Sequence, residues 1–132
     1  MCQTIARLLR AMPRRHVLIV EDNVDQAQTL SLLLGAMGHD AEVATTGPSA
    51  VAAARRRCPE VVLLDLGLPG LDGFEVARRL RQEHGEAVFI IAVTAYATEN
   101  DLERARAAGC ELHLVKPADP RFIESLLGST EF

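Results

Sequence analysis

Four apolar residues, Val61-Val62-Leu63-Leu64, run directly into an acid, Asp65, and a glycine- and proline-rich loop follows from Leu66 to Gly73. An unbroken apolar run of this length reads as a strand covered on both faces, the habit of parallel sheets. An acid inside such a strand would be costly to bury. At the strand's carboxyl end it can face the crevice where open α/β sheets bind ligands. Taken alone, Asp65 could equally cap a turn. The rest of the chain decides between these readings.

The same device recurs along the sequence. His16-Val17-Leu18-Ile19-Val20 reads as a buried strand running into Glu21-Asp22-Asn23. Val24, Ala27, Leu30, Leu34 and Met37 then keep helical spacing up to Gly38, with Asn23 or Asp22 as the N-cap. A short strand is expected over 41–44. Gly47-Pro48 opens a second helix, with proline at its first position, and Arg55-Arg56-Arg57 closes it with cations suited to a helix C-terminus. After the strand ending at Asp65, a third helix carries Phe74, Ala77 and Leu80 on one side, with Arg78, Arg79 and Arg81 outward. A fourth strand over 88–93 ends at Thr94. Thr98 to Asp101 resembles a capping box and opens a fourth helix that carries Leu102, Ala105 and Ala108 and is stopped by Gly109. The fifth strand, over 112–115, ends at Lys116-Pro117. Asp119-Pro120 starts the last helix, with Phe122, Ile123, Leu126 and Leu127, closed by Gly128.

Strands that alternate with helices across short connections imply a parallel sheet covered by helices on both faces, with right-handed crossovers. At 132 residues one such domain is expected, over 16–128. Residues 1–15 stand apart as an extension or linker: Ile5, Leu8, Leu9 and Met12 mark one short amphipathic helix among Arg7, Arg10, Arg14 and Arg15, stopped by Pro13. Residues 129–132 form a tail.

A net charge of −4 speaks against a generic nucleic-acid binder. No apolar run reaches membrane-spanning length. Three cysteines, Cys2, Cys58 and Cys110, without metal-type spacing, fit reduced thiols in a cytoplasmic protein. Of fourteen cationic side chains only Lys116 is a lysine, which directs attention to what that position requires.

In a parallel sheet the strand carboxyl ends share one edge. Glu21, Asp22, Asp65, Thr94 and Lys116 therefore converge. Two like charges about 4 Å apart cost roughly 4 kcal/mol at an effective dielectric near 20, so such a cluster raises a pKa or holds a cation. Hard oxygen donors favour Mg²⁺, with Mn²⁺ as the alternative. Lys116 supplies a point charge for a phosphoryl oxygen and Thr94 a hydroxyl. A nucleophilic carboxylate, a divalent ion, a lysine and a hydroxyl together are equipped for phosphoryl transfer.

Four stretches, each at a strand end and in the right order, make the chain from His16 to about Gly128 resemble the receiver domain of two-component response regulators: Val20-Glu21-Asp22-Asn23, Leu64 to Gly73, Val93-Thr94-Ala95-Tyr96 and Val115-Lys116-Pro117. Stand-alone chemotaxis-type receivers and receivers of hybrid sensor kinases are both similar. The resemblance implies a flavodoxin-like (βα)5 three-layer sandwich with the strand order of chemotaxis receivers, 2-1-3-4-5. It implies that Asp65 is the phosphoacceptor and that Glu21, Asp22, Asp65 and the Gly67 backbone carbonyl hold the metal. It implies that Thr94 and Lys116 bind phosphoryl oxygens, and that the bond before Pro117 is cis. The implied partners are a histidine kinase or histidine phosphotransfer protein and an output protein at the α4–β5–α5 face, here Glu99, Asn100, Glu103, Arg104, Arg106 and Arg121. No nucleic-acid or membrane partner is implied.

The chain departs from the family at His113, where an aromatic of the switch is more usual. His113 is either a replacement for it or a half-buried strand histidine. Tyr96 is either a cover over the site or a surface aromatic. Asp72 is read as a helix cap outside the site.

Three rivals are weaker. A haloacid-dehalogenase-type phosphatase commonly needs a second acid where Gly67 stands. An FMN-binding flavodoxin needs a phosphate loop where Glu21 and Asp22 would repel phosphate. A pseudo-receiver, acting only as an interaction module, would not need Asp65, Asp22, Thr94 and Lys116 together.

Overall fold

A computed structural model of the chain describes residues 15–67, 72–95, 98–116 and 119–128. Five strands alternate with five helices: β1 (His16–Val20), α1 (Val24–Ala36), β2 (Asp40–Ala44), α2 (Gly47–Arg56), β3 (Val61–Asp65), α3 (Gly73–His84), β4 (Phe89–Thr94), α4 (Glu99–Ala107), β5 (Leu112–Val115) and α5 (Pro120–Leu127). A short 3₁₀ turn, Gly85–Ala87, links α3 to β4. The strands form one sheet in the order β2-β1-β3-β4-β5, every neighbouring pair parallel. Fold class and strand order therefore match the expectation from sequence.

The two-residue period of the strands divides the core. Leu18, Val20, Val62, Leu64, Ile90 and Ala92 point to one side, where α2, α3 and α4 supply Ala50, Ala54, Val76, Leu80 and Ala105. Val17, Ile19, Val61, Leu63, Ile91 and Val93 point to the other side, where α1 and α5 supply Ala27, Leu34, Ile123 and Leu127. This is the three-layer sandwich. β1 and β3 are buried along their whole length because both faces are covered.

Each described helix start carries a side-chain cap. Asn23 caps α1, accepting from the Gln26 N–H at 3.1 Å. Asp72 caps α3, accepting from the Glu75 N–H at 2.8 Å, which keeps it out of the site as expected. Thr98 and Asp101 form the expected box on α4, and Asp119 caps α5. At α2 the cap is Thr46, in a reciprocal box with Ser49, so Pro48 is the second helical residue rather than the first. Ser49 stands where the usual box has Glu or Gln, so the sequence pattern does not mark this cap.

Two side-chain assignments change. Arg81 is not outward. Its guanidinium folds back to donate to the carbonyls of Gly85 (2.6 Å), Val88 (2.8 Å) and Gly109 (2.6 Å), and to the Glu111 carboxylate at 2.5 Å. Glu111 in turn accepts from the Ile90 N–H at 2.7 Å. This clasp ties the α3–β4 and α4–β5 connections together at the lower edge of the sheet. Leu102 and Phe122 are not core residues; they are 38% and 47% exposed, with Val115 at 54%.

Cys58 and Cys110 are free thiols, exposed and buried respectively. The expected helix in the 1–15 extension, the loop from Leu68 to Leu71, Tyr96, the Pro117 peptide bond and the 129–132 tail lie outside the described residues, apart from Arg15. Arg15 is tied to the fold. Its backbone N–H donates to His39 Nδ1 (3.0 Å), its Nε to the Leu127 carbonyl (3.2 Å), and its guanidinium pairs with Glu60 at 2.9 Å.

Candidate functional site

The site forms where the strand ladders run one residue past their strands. The Glu21 N–H donates to the Ala44 carbonyl at 3.0 Å, the Leu66 N–H to the Val93 carbonyl at 3.1 Å, and the Lys116 N–H to the Thr94 carbonyl at 2.6 Å. Residues just beyond β1, β3 and β5 are thereby held as firmly as strand residues. Alternation then sets their side. Glu21 follows Val17 and Ile19 in parity, Asp65 follows Val61 and Leu63, and Lys116 follows Leu112 and Leu114, all of the α1/α5 face. Three residues far apart in sequence are thus delivered to one point beneath the start of α1.

Their contacts are direct. Lys116 Nζ donates to Glu21 Oε2 at 2.7 Å, to Asp65 Oδ2 at 3.1 Å and to Gln26 Oε1 at 3.3 Å. The other Asp65 oxygen, Oδ1, accepts from the Gly67 N–H at 2.9 Å, and Glu21 Oε1 accepts from the Asn23 N–H at 3.2 Å. Asp65 and Glu21 are buried, each 8% exposed, whereas Asp22 is exposed. Gln26 belongs to no sequence motif; its signal is its place in the first turn of α1, above the acids.

Burial raises the Glu21 carboxyl above its ordinary range; Lys116 opposes this and the neighbouring Asp65 charge adds to it. Burial acts to lower the Lys116 ammonium, but its bonds to Glu21 and Asp65 outweigh burial and hold it above the ordinary lysine value. One cation thus serves two buried carboxylates, and a negative excess remains. Ligand oxygens of Glu21, Asp22 and Asp65 lie within 4.8 Å of one another. An all-carboxylate donor set with uncompensated charge fits a hard divalent cation.

Thr94 and His113 belong to the opposite parity. Thr94 pairs with Val115 and His113 with Ala92, so the two are diagonal neighbours on the α2/α3/α4 side. Thr94 and His113 are both half-buried. Burial lowers the His113 pKa, opposed by Asp101 of α4, and its Nε2 has no hydrogen-bond partner among the described residues. Of the α4–β5–α5 set, Glu99, Asn100, Glu103, Arg104, Arg106 and Arg121 are all exposed. The Arg104 guanidinium also stacks over the Phe74 ring of α3, 4.0 Å from its centroid.

Comparison with known proteins places this geometry. The profile of the response regulator receiver domain matches residues 17–127. The chain belongs to the response regulator receiver family. The polar-differentiation response regulator DivK of Brucella ovis is 38% identical to this receiver over 114 residues, covering 85% of the chain and 93% of DivK. The chemotaxis protein CheY4 of Vibrio cholerae superposes with a TM-score of 0.81 at 27% identity, covering 86% of this receiver and 96% of CheY4. A CheY-like receiver domain protein of Methanospirillum hungatei has the same TM-score at 24% identity, covering 86% and 90% of the two chains, and bears on the fold alone. The receiver thus acts in two-component signalling. Among its described residues no helix is long and apolar enough to cross a membrane.

Proposed function

We propose that this receiver accepts a phosphoryl group on Asp65 from the phosphohistidine of a histidine kinase or histidine phosphotransfer protein. The observation that carries the reading is the Lys116 ammonium held between Glu21 and Asp65. In the transfer, an Asp65 oxygen attacks phosphorus, the N–P bond breaks, and its electron pair returns to the imidazole. The product is an acyl phosphate. Lys116 turns from carboxylate to phosphoryl oxygen without leaving its place, since the new oxygens develop where it already points. The Gly67 N–H holds the second Asp65 oxygen and so fixes the attacking lone pair.

Glu21, Asp22, Asp65 and the Gly67 carbonyl are the proposed Mg²⁺ or Mn²⁺ ligands. A divalent ion there supplies charge neutralisation for the phosphoryl oxygens. Thr94 donates its hydroxyl to a phosphoryl oxygen after transfer, with Tyr96 proposed as a cover and His113 as the side chain that responds behind it. The output surface is the α4–β5–α5 face, whose elements also carry the exposed apolar side chains Leu102, Val115 and Phe122. The compartment is proposed to be the cytoplasm.

Intact mass after incubation with a small phosphodonor tests the reading. One added phosphoryl group is expected with Mg²⁺, absent with chelator and absent in Asp65→Asn. A chain that gains no phosphoryl group, and whose Thr94 amide signal does not shift with beryllofluoride, overturns it in favour of a phosphorylation-independent interaction module.

A further inference from the structure

A lysine ammonium has three N–H donors and no acceptor. The site offers Lys116 one acceptor for each: Glu21 Oε2 at 2.7 Å, Asp65 Oδ2 at 3.1 Å and Gln26 Oε1 at 3.3 Å. Two of these belong to buried carboxylates, which account for the charge balance of the site. The third is a neutral amide on an exposed residue of α1, and it adds nothing to that balance. Its contribution is direction.

The helix fixes where Gln26 stands. Its backbone N–H donates to the Asn23 side chain at 3.1 Å, which places it in the capped first turn of α1. Ala27 beside it is fully buried on the α1/α5 face of the sheet, and this sets the rotation of the turn. Chemistry then orients the amide. An ammonium accepts no hydrogen bond, so the Gln26 oxygen turns to Lys116 and its NH₂ group turns away. Glu21, Gln26, Asp65 and Lys116 all line one cavity of about 690 Å³, which leaves room beside them for an incoming phosphoryl group.

We propose that Gln26 is a positioning residue for phosphoryl transfer and acts through Lys116. The inference rests on the reading of Asp65 as phosphoacceptor. On transfer, an Asp65 oxygen bonds to phosphorus, the N–P bond of the donor breaks, and its electron pair returns to the imidazole. The Asp65 carboxylate loses its charge, and the Lys116 N–H that it held turns to a phosphoryl oxygen. The bonds from Lys116 to Glu21 and Gln26 persist. On a tetrahedral ammonium two fixed N–H directions determine the third, so a single bond changes partner. Without the amide, Glu21 alone anchors Lys116. The ammonium then settles between the two carboxylates, against the group that must attack. Gln26 therefore acts on the rate of transfer and not on donor binding.

Gln26→Met tests this, because methionine is unbranched and removes the amide without crowding the site. Lys116 is the sole lysine, so selective ¹⁵N-lysine labelling gives one side-chain ammonium signal. In the variant that ammonium is expected to reorient more freely, both before and after beryllofluoride is added. With a small phosphodonor and Mg²⁺, the maximal rate of labelling should fall several-fold at an unchanged half-saturating donor concentration. The urea midpoint should stay at the parent value. An ammonium as restricted as in the parent, or a variant that labels as fast as a parent chain that does label, overturns the proposal. So does an unchanged maximal rate with a raised half-saturating concentration, which would make Gln26 a donor contact. A parent chain that gains no phosphoryl group overturns the phosphoacceptor reading instead, whatever the ammonium signal shows.

Discussion

Gly73 lies directly against the backbone of Leu66: a Cβ built on it would sit 2.4 Å from the Leu66 Cα and 2.7 Å from the Asp65 carbonyl oxygen. The first residue of α3 is thus pressed onto the strand end that carries the candidate nucleophile. Its N–H also donates to the Leu66 carbonyl at 3.3 Å.

Gly73→Ala is therefore expected to displace backbone, not a flexible side chain. The cost should be about 3 kcal/mol, at the upper end for overpacking. Urea unfolding gives the stability, and the Gly67 amide shift reports whether Asp65 has moved. A substitution that costs under about 0.5 kcal/mol, the range of surface changes, would contradict the close approach.

Lys116→Met removes the cation from two buried carboxylates. Breaking a buried pair costs about 3 to 5 kcal/mol. With the Lys116 side chain 24% exposed, roughly 1 to 3 kcal/mol is expected after allowing for solvent screening. Adding Glu21→Gln should restore part of the loss. A double-mutant cycle in urea measures the coupling, and strictly additive changes would show that the pair does not interact.

Divalent cations should raise stability because the folded acids bind them and the unfolded chain does not. At a concentration 100-fold above the dissociation constant the gain is about 2.7 kcal/mol. Thermal melts against MgCl₂ should show a rising Tm that chelator reverses and that Asp22→Ala removes. An unchanged Tm in the parent chain would count against the metal site.

Arg81→Ala should cost about 2 to 3 kcal/mol. The guanidinium serves three carbonyls and one carboxylate, and hydrogen bonds to charged groups are worth about 1.5 to 3 kcal/mol each before the exposure of Arg81 is counted. Arg81→Lys should recover little, because an ammonium cannot span the same fork. Hydrogen exchange at the Ile90 and Glu111 amides provides the local readout.

Acidification should weaken the fold through His39 and His113. Burial holds the His39 pKa below the ordinary 6.5, Arg15 adds to this, and Glu124 and Glu60 oppose it. Burial also lowers His113. The folded chain then binds fewer protons than the unfolded chain, so stability is full above about pH 6.5 and is lost as pH falls through that value. Each group contributes at most about 1.4 kcal/mol per pH unit. Protonating His39 Nδ1 also breaks its bond from the Arg15 N–H. The urea midpoint should fall from pH 7.5 to 5.5, and fall less in His39→Gln.

The sequence by itself determined the strands, the helices and their order. Apolar runs such as Val61–Leu64 have one strongly favoured fate, and caps such as Asp72, Thr98 and Asp119 act over a few residues. It also determined which edge of the sheet carries Glu21, Asp65 and Lys116, because parallel strands share a carboxyl end. Tertiary structure alone decided what those residues touch. Gln26 joined the site because α1 lies over it. Arg81 turned inward because two loops distant in sequence present their carbonyls to it. Arg104 found Phe74 on the neighbouring helix, and Gly73 gained its meaning from the Leu66 backbone beneath it. Local patterns are written in spacing. Contacts between elements depend on how the layers pack, and no spacing along the chain encodes that distance.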